Sequence, residues 1–419
     1  NVTAKALRVS GITSSDKSYD GSTSATLGTS NILYTGLVNG DSFSGSYTGT
    51  FDNKNVGSGK TVTISSSYSG DDVSNYSITN QSSTTASIVK KSLTASASAS
   101  NKTYNGNATA TTSLTFSGLV GSETLAQSVS STFNNKNAGT GKTVTVNTIT
   151  LSNGSNGGLA SNYTISAGQT TTANITGKSL TVSGITAPNK TYDGNTNAPL
   201  DISNISYSGL VSGDDIGGSF SGAFDNKNKG TSKTVSISAS YSGVDSGNYT
   251  VTDQSSTTAN ITARTLTVSG ISASDKAYDA TTSATLDTSN VSYAGLVSGD
   301  SFSGGYTGTF DDANVGTSKL VNISSSYSGD DLSNYSITNQ SSTGADITKA
   351  SPTISGLTAQ AKYSDENYTL TGTPSISGLS INYSSSDTNI ANVNSSTGAV
   401  SILTTGTSTI TASISGTSN

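Results

Sequence analysis

Four copies of one short motif bind this chain to a repeating architecture. Lys17-Ser18-Tyr19-Asp20-Gly21 returns as Lys102-Thr103-Tyr104-Asn105-Gly106, Lys190-Thr191-Tyr192-Asp193-Gly194 and Lys276-Ala277-Tyr278-Asp279-Ala280. The steps between the tyrosines are 85, 88 and 86 residues, the length of a small domain. Two further landmarks keep the same beat. Asn75-Tyr76 recurs at Tyr163, Tyr249 and Tyr335, and Phe51-Asp52-Asn53-Lys54-Asn55 is echoed at Phe133, Phe224 and Phe310. Self-similarity at a fixed long period means a tandem array of folded units.

The joints between units are legible as well. Lys91-Ser92-Leu93-Thr94, Lys178-Ser179-Leu180-Thr181 and Arg264-Thr265-Leu266-Thr267 each follow the end of a β-branched run such as Ala173-Asn174-Ile175-Thr176. These joints predict domains at 1–89, 90–177, 178–263 and 264–348, with a fifth unit at 349–419 that lacks the motif. Each is long enough to bury a small core. Asn1-Val2-Thr3 repeats the end of such a run, so it is expected to be the tail of an upstream unit in a longer array.

Inside a unit the hydrophobic period is two. Phe43, Tyr47 and Phe51 share one face with Gly45 and Gly49 between them; Val62, Ile64 and Tyr68 follow the same rule. That alternation predicts half-buried antiparallel strands, about six to eight per unit, and no helical period competes with it. The predicted fold class is all-β: tandem antiparallel immunoglobulin-like β-sandwich domains in an extended rod. On sandwich rules Tyr76, Tyr163, Tyr249 and Tyr335 are assigned as tyrosine corners, rings in the core and hydroxyls on nearby backbone.

Hydrophobic residues make up 31% of the chain and charged ones 11%, yet the net charge is only −6 and there are 4 prolines, which favours thin-cored order over disorder. The acidic balance argues against nucleic acid and anionic membranes as partners. Without Cys or His, the chain has no disulfide, no thiol nucleophile and neither of the commonest metal ligand nor general base. No apolar run approaches the ~18 residues of a membrane span.

The four long units resemble the YDG repeat domains of bacterial surface adhesins, including those of filamentous-haemagglutinin type, over roughly residues 4–348. Unit two reads Tyr104-Asn105-Gly106, unit four ends its motif in Ala280, and unit four has Asp312-Ala313 where the others carry Asn-Lys. The last unit is similar to bacterial immunoglobulin-like domains of the Big/MBG type through Ser384-Ser385-Ser386-Asp387, Ile390-Ala391-Asn392-Val393 and Gly406-Thr407-Ser408-Thr409-Ile410-Thr411-Ala412. Both resemblances imply stacked modules in a large exported protein: a stalk or fibre at the bacterial cell surface.

Several candidate chemistries compete with plain structure. Lys17, Tyr19, Asp20 and Gly21, with Tyr104, Tyr192 and Tyr278, are read as a structural motif: an Asp-Gly type I′ turn anchored by the tyrosine, with the lysine a surface residue snorkelling along the sheet edge. Ala280 suits positive φ badly, so its turn is expected to vary. Asp71-Asp72 and Asp330-Asp331 offer oxygen ligands for Ca²⁺, but no known calcium spacing is met and solvated loop charge is the preferred reading. A Lys–Asn isopeptide crosslink pairing Lys17, Lys102, Lys190 or Lys276 with Asn75, Asn162, Asn248 or Asn334 would need a buried, deprotonated lysine, and no signature fixes that geometry. Catalytic acids do not repeat, so an enzyme is rejected and no cofactor is expected. The expected role is a mechanical segment of an extracellular repeat protein. Its partners would be neighbouring repeats of the same or an identical chain, including self-assembly into fibres. The alternative is a set of weak glycan- or host-protein-binding modules acting by avidity.

Overall fold

In the computed structural model, residues 1–358 and 366–415 are described, and among them there is no α-helix. The parts of the predicted fifth domain at 359–365 and 416–419 lie outside the described residues. The chain divides into two compact units. The first holds Asn1–Ser183, Ile205–Ser219 and Ala239–Asp253, and the second Gly184–Asn204, Phe220–Ser238 and Gln254–Asn419.

In the first unit, repeat one makes two main sheets. A three-stranded leading sheet places Lys5–Ser10 between Leu33–Thr35, antiparallel, and Tyr76–Thr79, parallel. A five-stranded trailing sheet runs in the order Lys17–Ser18, Ser83–Val89, Gly57–Ser69, Ser44–Phe51 and Ser24–Ala25. Its long hairpin, Ser44–Phe51 on Gly57–Ser69, is antiparallel from Ser44↔Ser69 to Phe51↔Val62. Ser and Thr on the outer face, and aromatic or aliphatic residues with Gly45 and Gly49 among them on the inner one, let these strands pair without burying both faces. Repeat two builds the same trailing sheet from Lys102–Thr103, Thr170–Thr176, Gly139–Asn153, Leu125–Phe133 and Thr109–Ala110.

The hydrophobic cores do not keep to the sequence repeats. One end of the long hairpin covers the repeat's own leading sheet: Ile64, Tyr47 and Tyr68 pack with Val9, Ile12, Tyr34 and Ile78. The other end covers the following repeat. Tyr19, Phe51, Val62, Ala86 and Ile88 form one core with Leu93 and Tyr163, flanked by Phe116, Leu119 and Val120. Tyr104, Phe133, Val144 and Ile175 likewise share a core with Leu180 and Tyr249. The five-stranded sheet of repeat one therefore spans two leading sheets, its own and the next.

The second unit repeats this plan. Tyr192, Phe224, Val235 and Ile261 share a core with Leu266 and Tyr335, and repeat four has its own core of Val268, Ile271 and Ile323. After repeat four, Ile381–Ser385 pairs antiparallel with Ile410–Ile414, and Ala399–Ile402 lies between Tyr368–Thr369 and Ala391–Val393.

The expected type I′ turn is not formed. That turn needs positive φ at both central residues, whereas here only the last motif residue has it: Gly21 at 76°, Gly106 at 82°, Gly194 at 81° and Ala280 at 63°. The turn is instead closed by side chains. Asp20 Oδ1 accepts from Ser22 N at 2.9 Å, and Lys17 Nζ donates to Asp20 Oδ1, Ser22 O and Ser24 O, each at 2.9 Å. The lysine is thus not a snorkelling surface residue: its side chain is 17% exposed for Lys17 and 10% for Lys190. Its ammonium sits 5.4–5.7 Å from the Phe51, Phe133, Phe224 and Phe310 ring centroids. Three backbone and carboxylate acceptors inside the turn hold it there, so it cannot reach out along the sheet. Ala280 keeps the same turn, with Thr281 N on Asp279 Oδ1 at 2.9 Å.

Candidate functional site: the joint between consecutive repeats

The motif tyrosine lies where one repeat meets the next. In the first unit, Tyr19 and Tyr163 meet edge to face with centroids 5.4 Å apart. Both hydroxyls donate to one carboxylate, Tyr19 to Glu123 Oε1 at 2.6 Å and Tyr163 to Glu123 Oε2 at 2.7 Å. Lys54 of the upstream repeat approaches the same carboxylate at 3.4 Å. Asn162, wholly buried, accepts from Val56 N at 2.9 Å and donates to Asn55 Oδ1 at 3.1 Å. Gly21 faces Val120 so closely that a Cβ there would stand 2.8 Å from Val120 Cγ1.

The second joint of that unit uses the same parts. Tyr104 and Tyr249 donate to Asp214 Oδ2 at 2.9 and 2.6 Å, and Lys136 reaches Asp214 at 3.2 Å and Asp245 at 2.9 Å. Asn248 takes Ala138 N at 2.8 Å, and Gly106 lies against Val211. In the second unit, Tyr192 and Tyr335 donate to Asp300 Oδ2 at 2.8 and 2.7 Å, with Lys227 at 3.1 Å from Asp300 and 3.0 Å from Asp331. Asn334 takes Lys229 N at 2.8 Å, and Gly194 lies against Val297. Two hydroxyls and one ammonium satisfy each buried carboxylate, which is what makes a charge tolerable in a core.

The electrostatics follow from that geometry. Burial pushes Glu123, Asp214 and Asp300 upward, but the tyrosine hydroxyls and lysines outweigh it and hold all three below the usual carboxylate range. Burial and the facing carboxylate push Tyr163, Tyr249 and Tyr335 up to about 12, and Tyr19 higher still. The three carboxylates therefore stay ionised and the tyrosines protonated at neutral pH, which keeps the hydrogen bonds of the clamp in place.

The tyrosine-corner residues do place their hydroxyls on backbone, but on a loop far upstream. Tyr76, Tyr163, Tyr249 and Tyr335 accept from the amides of Val38, Val120, Val211 and Val297 at 2.9–3.0 Å. Tyr278 stands apart: it is half-buried beside a cleft of about 600 Å³ lined by residues such as Pro352, Ile354 and Leu379. Of the aspartates weighed for calcium, Asp331 faces Lys227 and Asp72 accepts from Ser42 N at 2.8 Å, and no group of three metal-ligating side chains occurs among the described residues. Of the asparagines weighed for an isopeptide bond, Asn162, Asn248 and Asn334 lie in the joints and Asn75 is exposed, whereas the motif lysines donate within their turns.

The acids were missed from sequence, and so were the valines and the joint lysines. Their signal is present: Gly36-Leu37-Val38-Asn39-Gly40-Asp41, Gly118-Leu119-Val120-Gly121-Ser122-Glu123, Gly209-Leu210-Val211-Ser212-Gly213-Asp214 and Gly295-Leu296-Val297-Ser298-Gly299-Asp300. An acid stands three residues after each valine.

A family model described as the YDG domain matches residues 3–86, 89–173, 176–259 and 262–344. A search of curated proteins gives no match. Among solved structures, the chain is similar to Drosophila N-cadherin EC1-4, at 8% identity, over 81% of this chain and 99% of that one, with a TM-score of 0.21. The protocadherin GammaB4 extracellular domain is similar at 9% identity over 95% and 79%, TM-score 0.20, and the titin I9-I11 tandem at 10% over 61% and 98%, TM-score 0.16. Scores of this size describe no shared chain-wide arrangement.

Proposed function

The chain belongs to the YDG domain family, and we propose that it is a non-enzymatic structural segment, a stalk or fibre, of a large extracellular bacterial surface protein. The observation that carries this reading is the shared core at each joint. Separating Tyr19 from Tyr163, or Tyr192 from Tyr335, uncovers buried aromatic side chains and a buried carboxylate together. Consecutive repeats joined in this way resist being pulled apart or bent far more than domains on a flexible linker do. In this reading the four repeats act in series as an extended rod, and residues 349–419 are a Big/MBG-type immunoglobulin-like domain following them.

The alternative, repeated glycan- or host-protein-binding modules, asks for free aromatic platforms. Tyr34 and Tyr293 instead meet Phe43 and Phe302 edge to face at 4.9 and 4.7 Å. Among the described residues no helix is long and apolar enough to cross a membrane.

Stretching the whole chain between its ends in a force spectrometer tests the mechanical reading. Discrete unfolding peaks, each releasing about 250–300 Å for some 85 residues, are expected. Smooth extension without peaks, or saturable binding to a glycan array at micromolar concentration, would overturn it.

A further inference from the structure

The first repeat carries the parts of one half of a joint, and among the described residues no lysine of another repeat pairs with them. Asp41, Asp72, Asn75 and Tyr76 stand in the places of Asp300, Asp331, Asn334 and Tyr335, and Leu37-Val38 in the place of Leu296-Val297. The internal geometry is already set. Tyr76 donates to Asp41 and accepts from Val38 N at 3.0 Å, and Asp72 takes Ser42 N at 2.8 Å as Asp245 takes Asp215 N at 3.1 Å. The upstream half is what is missing. Among the described residues no lysine or arginine lies within ion-pair distance of Asp41 or Asp72. Asn75 is exposed where Asn162, Asn248 and Asn334 are 0–3% exposed, and Val38 is 43% exposed.

We propose that this face is a socket for the trailing sheet of another YDG repeat, one that carries Lys-x-Tyr-x-Gly and Phe-x-x-Lys-Asn. Two unpaired carboxylates call for the cation that Lys136 and Lys227 supply elsewhere. Exposed Val38 calls for a glycine opposite.

The trailing sheet of this chain's own fourth repeat is the wrong occupant. It has Ala313 where the lysine is required, and Ala280 would press its methyl group into Val38 as a Cβ on Gly194 would press into Val297. Head-to-tail growth of identical chains through this face is therefore disfavoured, and specificity is written into two positions of the partner sheet.

The test adds a copy of residues 178–259 directly before Asn1 of the full chain, in register because Asn1-Val2-Thr3 continues the pattern of Asn260-Ile261-Thr262. The chain has no cysteine, so Val38→Cys gives a single thiol reporter. Maleimide labelling of that thiol is expected to slow by more than about tenfold in the extended chain, since a closed joint must open before reaction. Lys227→Glu within the added copy should restore most of the rate. Equal labelling rates with and without the copy overturn the proposal. So does a copy that stays unfolded by circular dichroism, because the socket would have completed its core. Concentration-dependent polymers of the unextended 419-residue chain that vanish on Asp41→Lys overturn the choice of occupant.

Discussion

A Cβ on Gly194 would stand 2.7 Å from Cγ1 of Val297, a separation that forces one of the two to move. The glycine also holds φ at 81°, so two costs fall on one methyl group. Left-handed backbone costs a non-glycine residue about 1–2 kcal/mol, and overpacking adds about 1–3 kcal/mol. Gly194→Ala is expected to destabilise its joint by about 2–5 kcal/mol in urea unfolding. Ala280→Gly, with φ at 63° and no following YDG valine, should stabilise by about 1 kcal/mol. Destabilisation by Ala280→Gly would show that the turn is not the determinant.

The carboxylate at each joint matters more than the lysine beside it. Asp300→Ala leaves two buried hydroxyls without their acceptor and is expected to cost about 3 kcal/mol. Tyr192→Phe removes one hydroxyl and should cost about 1 kcal/mol. The Lys227 side chain is 38% exposed, so solvent screens its ion pairs and Lys227→Met should cost well under 1 kcal/mol. The same substitution at Asp41 should cost less than at Asp300, since one tyrosine donates there and not two. A larger effect from the lysine than from the aspartate would refute this ordering.

The titrating groups predict a wide stability plateau. Glu123, Asp214 and Asp300 are held below their ordinary values and Asp279 is taken down to about 2 by its hydrogen bond from Lys276. A lowered carboxylate gives stability that is present above its unfolded value near 4 and disappears as pH falls through the folded value. The tyrosines act in the opposite sense. Tyr163, Tyr249 and Tyr335 rise to about 12, so their contribution is whole below pH ~10 and lost between there and 12. No histidine titrates between. Calorimetry should give a nearly constant Tm from about pH 5 to 9.5, falling on both sides; a slope between pH 6 and 8 would mean other groups govern folding.

Much of this was visible in the residues. The period, the strand alternation and the four corner tyrosines follow from local pattern, because burial on one face of a strand writes itself every second residue. What a repeat cannot state is its phase. A core made by Tyr19 with Tyr163, 144 positions later, has the same sequence period as one closed within 85 residues. The departures in repeat four are visible in the sequence too. In the structure they fall together: Ala280 and Ala313 are both positions that touch a following YDG repeat in the other copies, and no such repeat follows here. The type I′ reading failed because Asp-Gly also serves a turn whose aspartate caps a lysine and an amide with ordinary φ.

Cutting out a single repeat should therefore destroy what a two-repeat fragment preserves. A fragment of residues 90–177 keeps Leu93 and Tyr163 without Tyr19 and Phe51, and Tyr104 and Phe133 without Leu180 and Tyr249. Four large buried side chains lose their cover, at about 2 kcal/mol each. That loss rivals the whole stability of a small domain, about 5–15 kcal/mol. Residues 1–177 hold the first joint core intact and leave only the second uncovered. The longer fragment is expected to melt cooperatively with dispersed amide resonances, and the single repeat to show neither. A fully folded 90–177 with a sharp transition would mean that the shared cores add little, and that each repeat stands alone after all.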